Sequence, residues 1–202
     1  CWYFMAALLT IESENPDKLA LYLRECRDLG VQILSPDIST CDIQFTVTPE
    51  GVRYGLAAVR NVGESAITSI LSARKAGNGI RSLFSLCEMV DLRLVNKRVL
   101  ESLVKAGAFD FLQGDSGGGT RRFRARLVAV IDKALDHGNR TQRDFNQGQS
   151  QLFGDSDLSD ESSETRLLDV NPWSESEELA FEKEALGLYL SGHPLDQLAD
   201  DL

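Results

Sequence analysis

The segment Arg60–Ser65, with the sequence Arg-Asn-Val-Gly-Glu-Ser, has the residue types and spacing to bind a phosphate. A short helix is predicted to end just before it and a second helix to begin at Glu64, so the chain must turn sharply between them. Asn61 tolerates the positive φ that such a turn requires, and Val62 would plug the gap between the two helices. The first N–H groups of the second helix have no partner within that helix, so they are available to an anion.

Two helices joined by such a turn are typical of a helix-hairpin-helix DNA-binding motif. Its contacts go to backbone phosphates, so they do not depend on the base sequence. Glu64 suits the dipole of the second helix but would compete with a phosphate. The alternative reading of the same residues is a plain corner between two helices that binds nothing.

A second basic cluster, Asn96-Lys97-Arg98, opens the next predicted helix. Basic residues at the start of a helix interact unfavourably with its dipole. Their presence therefore favours a role other than stabilising the helix. The cluster could supply a second phosphate contact. The alternative is a first helical turn that is simply solvated.

The peptide Gln149-Ser-Gln-Leu-Phe153 places an apolar pair in an otherwise polar stretch. Leu152 and Phe153 could fill an apolar pocket while the Gln149 amide makes directed hydrogen bonds. The peptide matches the short motif by which bacterial proteins bind the sliding clamp of replication. Leu-Phe pairs also arise by chance, so its position beside a DNA-binding motif strengthens the prediction.

No catalytic or metal-binding set is predicted. The four cysteines form no CxxC pair, and only two histidines are present, far apart, so a zinc site is excluded. We expect the cysteines to be small buried residues in a reducing compartment. A phosphate-binding glycine loop and a Ser/His/Asp set are both missing, and His193 is predicted to be a turn residue rather than a general base.

Charge is divided unevenly along the chain. Residues 51–140 carry 15 Lys and Arg against 8 Asp and Glu, a net charge of +7, while the whole chain carries −10. The flanks 1–50 and 141–202 carry net charges of −5 and −12. The division indicates a local anion-binding surface or a helical surface that happens to be rich in arginine.

No apolar run is long enough to predict a transmembrane helix, and the N-terminus does not read as a signal peptide.

The pattern predicts a mainly α fold, a helical bundle with a helix-hairpin-helix motif, a small β-hairpin and a disordered acidic linker. The hairpin pairs residues 43–48 with a strand that begins at Val52. A flexible glycine-rich loop is predicted at 114–119, and residues 139–172 read as the linker. The expected helices are a buried one over 2–10, one from Pro16 to a stop at Gly30, one around 66–71 that stops at Gly77, one around 100–104 that stops at Gly107, one around 123–135 that stops at Gly138, and one over 175–190.

Taken together, these stretches resemble the alpha (catalytic) subunits of bacterial DNA polymerase III. The resemblance spans nearly all 202 residues and is specific in order as well as in sequence. It is carried by Phe4–Leu9, Glu25-Cys26 with Gly30, Pro36–Ile38, Tyr54–Val59, Val62–Glu64, Val95–Leu103, Ala106–Asp110 and Glu182–Pro194. Asn61 departs from the glycine that is usual in the family.

The resemblance implies a division into four parts: the end of the fingers region (1–54), a tandem helix-hairpin-helix domain (55–138), a linker with the clamp-binding peptide (139–172), and a helix leading to an OB domain outside the chain (173–202). It implies that Arg60, Asn61, Val62, Gly63, Glu64, Ser65, Asn96, Lys97 and Arg98 contact duplex DNA. It also implies that Gln149, Leu152 and Phe153 enter the clamp pocket. The chain would then be an internal piece of a cytoplasmic, nucleoid-associated polymerase.

The same resemblance implies DNA-directed DNA synthesis by the parent enzyme, a nucleotidyl transfer at Mg-bound aspartates that these residues do not include. No cofactor is expected in this segment, and the expected partners are double-stranded DNA, the sliding clamp and other holoenzyme subunits. Three alternatives stay open. They are the error-prone paralogue of the polymerase, a protein-interaction scaffold that binds no DNA, and a helix-hairpin-helix repair protein. The presence of the clamp-type peptide argues against the error-prone paralogue.

Overall fold

The computed structural model describes residues 2–76, 79–113, 119–146 and 168–192. This part of the chain is mainly helical, as predicted, with a small sheet. The helices are α1 (Trp2–Ile11), α2 (Pro16–Asp28), α3 (Glu64–Ala76), α4 (Leu83–Met89), α5 (Lys97–Lys105), α6 (Gly119–Asn146) and α7 (Glu175–Leu186), with short 3-10 helices at Leu56–Ala58 and Asp110–Leu112. The strands are β1 (Ile33–Leu34), β2 (Thr46–Val47) and β3 (Val52–Arg53).

Local capping residues set the boundaries of α2, and the prediction for this helix is confirmed. The Asn15 side chain accepts a hydrogen bond from the Lys18 N–H, and Pro16 occupies the first turn, where no N–H is needed. Gly30 follows the helix with φ 68°, the left-handed conformation that ends helices and that glycine adopts without strain.

The predicted β-hairpin is present, but its first strand is Thr46–Val47 instead of residues 43–48, and it belongs to a three-stranded sheet. Strand β3 pairs antiparallel with β2, with Val47 opposite Val52, and parallel with β1, so the order is β1-β3-β2. The β1 pairing was missed because a two-residue strand carries no alternating pattern. It brings Gly51 so close to Gln32 that a Cβ at residue 51 would lie 2.3 Å from the Gln32 carbonyl oxygen.

A continuous apolar core joins the sheet to the helices, and α6 packs along both α4 and α5. Three of the cysteines, Cys26, Cys41 and Cys87, are free and buried in it, as expected for small apolar residues. Burial raises the pKa of Cys41 to about 11 and that of Cys87 to about 12. These thiols are therefore held in the protonated form.

The predicted end of α6 at Gly138 is wrong, because the helix continues to Asn146. Within the predicted linker, residues 168 and 169 contact α6. Arg122 forms an ion pair with Asp169 at 2.6 Å, and the Arg126 Nε donates to the Leu168 carbonyl at 2.9 Å. Residues 147–167 lie outside the described residues, as do 114–118 of the glycine-rich loop, Gly77 and His193.

Two helix predictions need smaller corrections. Helix α1 is only partly buried, since Tyr3 is 80% exposed and Phe4 68% exposed. Helix α7 ends at Leu186, four residues earlier than predicted, because Gly187 adopts φ 81° and terminates it.

Candidate nucleic-acid interface

The predicted helix-hairpin-helix geometry is present at residues 56–76. The short 3-10 helix ends at Ala58, the segment 59–63 (the hairpin) turns, and α3 begins at Glu64. Within the hairpin, Val62 is buried at 7% exposure and fills the space between the helices, as predicted. The other predicted contact residues, namely Arg60, Asn61, Gly63, Glu64 and Ser65, are exposed.

Asn61 occupies the left-handed position of the hairpin. Its φ is 65°, and it is the only non-glycine residue with positive φ in the part of the chain that the structure describes. Its side-chain Nδ2 donates a hydrogen bond of 3.0 Å to the Oγ of Ser102 in α5, which is itself buried. Asparagine therefore adopts the left-handed conformation that glycine usually supplies, and its side chain adds a hydrogen bond to α5. No local pattern in the sequence indicated Ser102 as its partner.

Gly63 precedes α3, and its carbonyl accepts the first helical bond from Ile67 at 3.1 Å. Its φ is not positive, and a Cβ built on it would find no atom within 4 Å. The fold therefore does not require glycine at residue 63. A ligand that approaches the backbone closely would require it, because a side chain would obstruct the approach.

The start of α3 differs from that of four other helices. Helices α2, α4, α5 and α7 begin with a side-chain cap, supplied by Asn15, Ser82, Asn96 and Ser174 respectively. Among the described residues, no group accepts a hydrogen bond from the first-turn N–H groups of α3. Glu64 and Ser65 are exposed residues at the positive end of the α3 dipole, which suits a phosphate.

The second basic cluster, residues 96–98, lies at the end of the loop 90–96 and in the first turn of α5. Val95 is fully buried in this loop, as Val62 is in the hairpin. The Asn96 side-chain oxygen is already used, since it accepts from the Val99 N–H at 3.2 Å. Lys97 is paired with Asp132 of α6 at 2.7 Å, and this hydrogen bond raises the pKa of the lysine. Arg98 is exposed and has no ion pair among the described residues.

The structure brings the two basic segments close together. Besides the Asn61–Ser102 bond, the Oγ of Ser69 in α3 accepts a 2.9 Å hydrogen bond from the Asp91 N–H in the loop before α5. These bonds join the hairpin to α5 and helix α3 to the loop that precedes α5. Ser102 is six residues after Asn96, so the start of α5 lies about 9 Å along that helix from the residue that bonds to the hairpin.

A buried charge network that the sequence did not reveal fixes α7 to the same body. Arg124 of α6 forms bonds of 3.0 and 2.6 Å with both oxygens of Asp110, and its Nη1 lies 3.5 Å from Glu178 and 3.4 Å from Glu182. Burial alone would lower the pKa of Arg124, but the Asp110 hydrogen bonds and the surrounding carboxylates raise it, so the guanidinium stays charged. Its 5% exposure excludes it from a phosphate contact.

The predicted clamp-binding residues Gln149, Leu152 and Phe153 lie outside the described residues. Within the described ranges, no group of three or more His, Cys, Asp or Glu side chains is arranged to hold a metal ion. No helix in the same ranges is both long enough and apolar enough to cross a membrane.

Comparison with known sequences identifies the motif and its context. A family described as a helix-hairpin-helix motif matches residues 30–118, which include both basic segments. The chain is 39% identical to DNA polymerase III subunit alpha of Neisseria meningitidis over 201 residues, covering 98% of this chain and 16% of that protein. It is 42% identical to the subunit alpha of Thermus aquaticus over 192 residues, covering 95% and 14%, and 36% identical to that of Vibrio cholerae over 200 residues, covering 98% and 17%.

The chain thus spans about one sixth of the length of these relatives. Between 95% and 98% of this chain aligns with each of them. The chain is therefore homologous to a segment of the DNA polymerase III alpha subunits, and it contains a helix-hairpin-helix motif.

Proposed function

We propose that this chain is the duplex-binding and clamp-binding segment of a bacterial replicative DNA polymerase III alpha subunit. The observation that carries the proposal is the open, glycine-started N-terminus of α3 beside the buried Val62, inside a segment homologous to these subunits. The parent enzyme catalyses DNA-directed DNA synthesis. Its Mg-bound aspartates lie elsewhere in the parent chain, and this segment holds the product duplex.

The duplex contact rests on backbone phosphates. The N–H groups of Glu64 and Ser65 bind one phosphate, which approaches over Gly63 where no side chain obstructs it. Arg60 and Arg98 are exposed cations of the two basic segments and add positive charge. Because these contacts address the DNA backbone, binding is independent of base sequence and weakens steeply with salt.

The second contact, at Asn96, Lys97 and Arg98, is weaker in the free protein. Lys97 has to exchange Asp132 for a phosphate, and the Asn96 oxygen is committed to its own helix. Arg98 is therefore the main cation of this cluster. Asn61 and Val62 act by shaping the hairpin, and Glu64 limits affinity by repulsion.

The duplex contact is tested by fluorescence anisotropy with two labelled duplexes of unrelated sequence, at several salt concentrations. We expect equal affinity for both duplexes and a decline with salt, with Arg98→Ala weakening both equally and lowering the salt slope by about one. Arg24→Ala on the exposed face of α2 is the matched control and should bind as the wild type does. Failure of the wild type to bind duplex at low salt would favour a protein-interaction scaffold.

The clamp contact is proposed for Gln149, Leu152 and Phe153, on the sequence of the peptide and its place shortly after α6. A weak peptide contact and a weak DNA contact on one chain reinforce each other through their high effective concentration. Titration of purified bacterial sliding clamp should show binding that is lost in a Leu152→Ala/Phe153→Ala double variant. An Asp155→Ala/Asp157→Ala double variant is the control and should retain binding.

Two results would contradict the clamp contact. Equal binding by the wild type and the Leu152→Ala/Phe153→Ala variant would show that the peptide is not the anchor. No binding by either would remove the clamp from the proposal and would favour the error-prone paralogue, leaving the duplex contact to be judged by its own titration.

A further inference from the structure

The hairpin that we assign to the duplex is held from two sides. On one side Asn61 bonds to Ser102 of α5. On the other side the backbone N–H of Arg60 donates a 2.8 Å hydrogen bond to the carbonyl of Ala185, at the end of α7. The hairpin position therefore depends on a helix that lies 125 positions later in the chain.

The end of α7 is bonded to the body of the fold instead of to solvent. The last carbonyls of a helix have no partner within it. Here the Tyr54 hydroxyl donates a 2.9 Å bond to the Leu186 carbonyl, and Tyr54 is fully buried. Two consecutive carbonyls of α7 therefore accept hydrogen bonds. The Ala185 carbonyl is bonded by Arg60 of the hairpin, and the Leu186 carbonyl is bonded by Tyr54, which precedes the hairpin.

The turn after α7, residues 187–191, is also fixed. One oxygen of Glu182 accepts hydrogen bonds from the N–H groups of Leu190 at 2.9 Å and Ser191 at 3.0 Å. The Arg27 guanidinium of α2 donates to the carbonyl of Tyr189. Since the other Glu182 oxygen faces Arg124 of α6, the turn is joined to two further helices.

Helix α7 is in turn anchored on α5, the helix that holds the other side of the hairpin. The Lys105 ammonium lies 2.9 Å from a carboxylate oxygen of Glu184 and 4.7 Å from the centre of the Phe181 ring. The hairpin, α5 and α7 thus form a closed set of contacts. A displacement of α7 has to move the hairpin or break the Arg60–Ala185 bond.

We propose that α7 and the turn 187–191 are a brace that positions the hairpin for the duplex, so that duplex affinity depends on residues that touch no DNA. The inference rests on the proposed duplex contact. The residues assigned to positioning are Tyr54 and Glu182, which are both buried. By thermodynamic linkage, a bound duplex has to stabilise the docking of α7 by the same factor by which docking of α7 strengthens duplex binding.

The first measurement is the duplex Kd of Tyr54→Phe in the intact 202-residue chain. The variant removes only the hydroxyl that holds Leu186, and we expect the Kd to rise about fivefold at fixed salt, the worth of about one hydrogen bond. The salt slope should stay at the wild-type value because no phosphate contact is removed. The control is Val130→Ala, a core truncation in α6, which lowers thermal stability without touching the brace and should leave the Kd within about twofold.

The second measurement is hydrogen exchange of the wild-type chain with and without saturating duplex. The brace predicts that the amides of Arg60, Leu190 and Ser191 exchange about fivefold more slowly when duplex is bound. Unchanged exchange at these amides, or an unchanged Kd of Tyr54→Phe, overturns the brace while wild-type binding leaves the proposed function standing. Absence of wild-type binding removes the proposed duplex contact and the brace with it.

Discussion

Gly138 in α6 lies directly against the backbone of Cys87 in α4. A Cβ at residue 138 would lie 2.5 Å from the Cys87 carbonyl oxygen and 2.9 Å from the Cys87 Cβ. One turn later, the Gln142 Nε2 donates to the carbonyls of both Cys87 and Val90 at 2.9 Å. Gly138 therefore allows the closest approach of the two helices, and Gln142 satisfies carbonyls at the end of α4 that its own helix leaves open.

Gly138→Ala should destabilise the fold even though alanine is the better helix former. The gain in helix propensity is about 1 kcal/mol, but the added methyl group collides with backbone that cannot rotate away, which costs about 2–3 kcal/mol. We expect a net loss of about 1–2 kcal/mol in the free energy of unfolding, measured in urea. Thr141→Ala, an exposed position on the same helix, is the control and should change stability little. An unchanged midpoint for Gly138→Ala would contradict the close packing.

Gly138 also shows where sequence reasoning stops. A glycine near the end of an apolar pattern predicts a helix stop, and this reasoning succeeded at Gly30, where the backbone adopts positive φ. At Gly138 it failed, because the glycine serves a contact with a residue 51 positions earlier. Local chemistry predicts caps and turns, whereas the close approach of two helices depends on the tertiary packing.

The same division holds in the candidate interface. The turn, the buried Val62 and the left-handed Asn61 follow from residues within one short segment, and the structure has all three. The partners Ser102, Ala185 and Asp132 come from distant elements, and nothing in the local pattern indicates them. The sequence therefore predicted which residues form the hairpin but not what holds it in place.

Gly63→Ser should make the protein more stable and its duplex binding weaker. A serine at this position can cap the open N–H groups of α3, and its Cβ meets no atom within 4 Å. With the lower entropy of the unfolded chain, we expect a gain of about 0.5–1 kcal/mol in the free energy of unfolding. Because the hydroxyl competes with the phosphate for these N–H groups, we expect duplex Kd to rise about tenfold. If Gly63→Ser binds as tightly as the wild type, the phosphate does not lie on this helix start.

Asp132→Asn should strengthen duplex binding. The substitution removes the carboxylate that pairs with Lys97 at 2.7 Å and leaves the lysine available to a phosphate. Both side chains are more than half exposed, so the ion pair adds little to stability. We expect the duplex Kd to fall about threefold at low salt, with a smaller gain at high salt. Asp136→Asn, one turn further along α6, gives the effect of removing a charge alone, and an equal gain in both variants would exclude a specific role for Lys97.

Asparagine should be the most stable residue at position 61 of the hairpin, followed by glycine and then by alanine. Asn61→Gly keeps the positive φ without strain but loses the bond to Ser102, for a cost of about 1 kcal/mol. Asn61→Ala loses the same bond and adds left-handed strain, for a total of about 2 kcal/mol. The measurement is the free energy of unfolding of the three proteins in urea. Equal stability of the alanine and glycine variants would show that the left-handed conformation at residue 61 carries no strain.

Two neighbouring glutamates of α7 should give opposite pH dependences. Burial raises the pKa of Glu178 above its ordinary value of 4.5, so the folded state binds this proton more tightly than the unfolded state does. Its contribution to stability is therefore present below pH 4.5 and is lost as the pH rises through the raised value. Hydrogen bonds from the backbone and side chain of Ser174 lower the pKa of Glu177, so its contribution is present above pH 4.5 and is lost as the pH falls.

The free energy of unfolding of the wild type, Glu178→Gln and Glu177→Gln is therefore measured from about pH 3 to about pH 7, so that the series extends below the ordinary pKa of 4.5. As the pH falls, the free energy of unfolding of the wild type should increase relative to that of Glu178→Gln. Over the same range it should decrease relative to that of Glu177→Gln. The two variants remove the same charge from adjacent positions, so a general effect of net charge would give slopes of one sign. Parallel slopes would therefore contradict the burial of Glu178 beside Arg124.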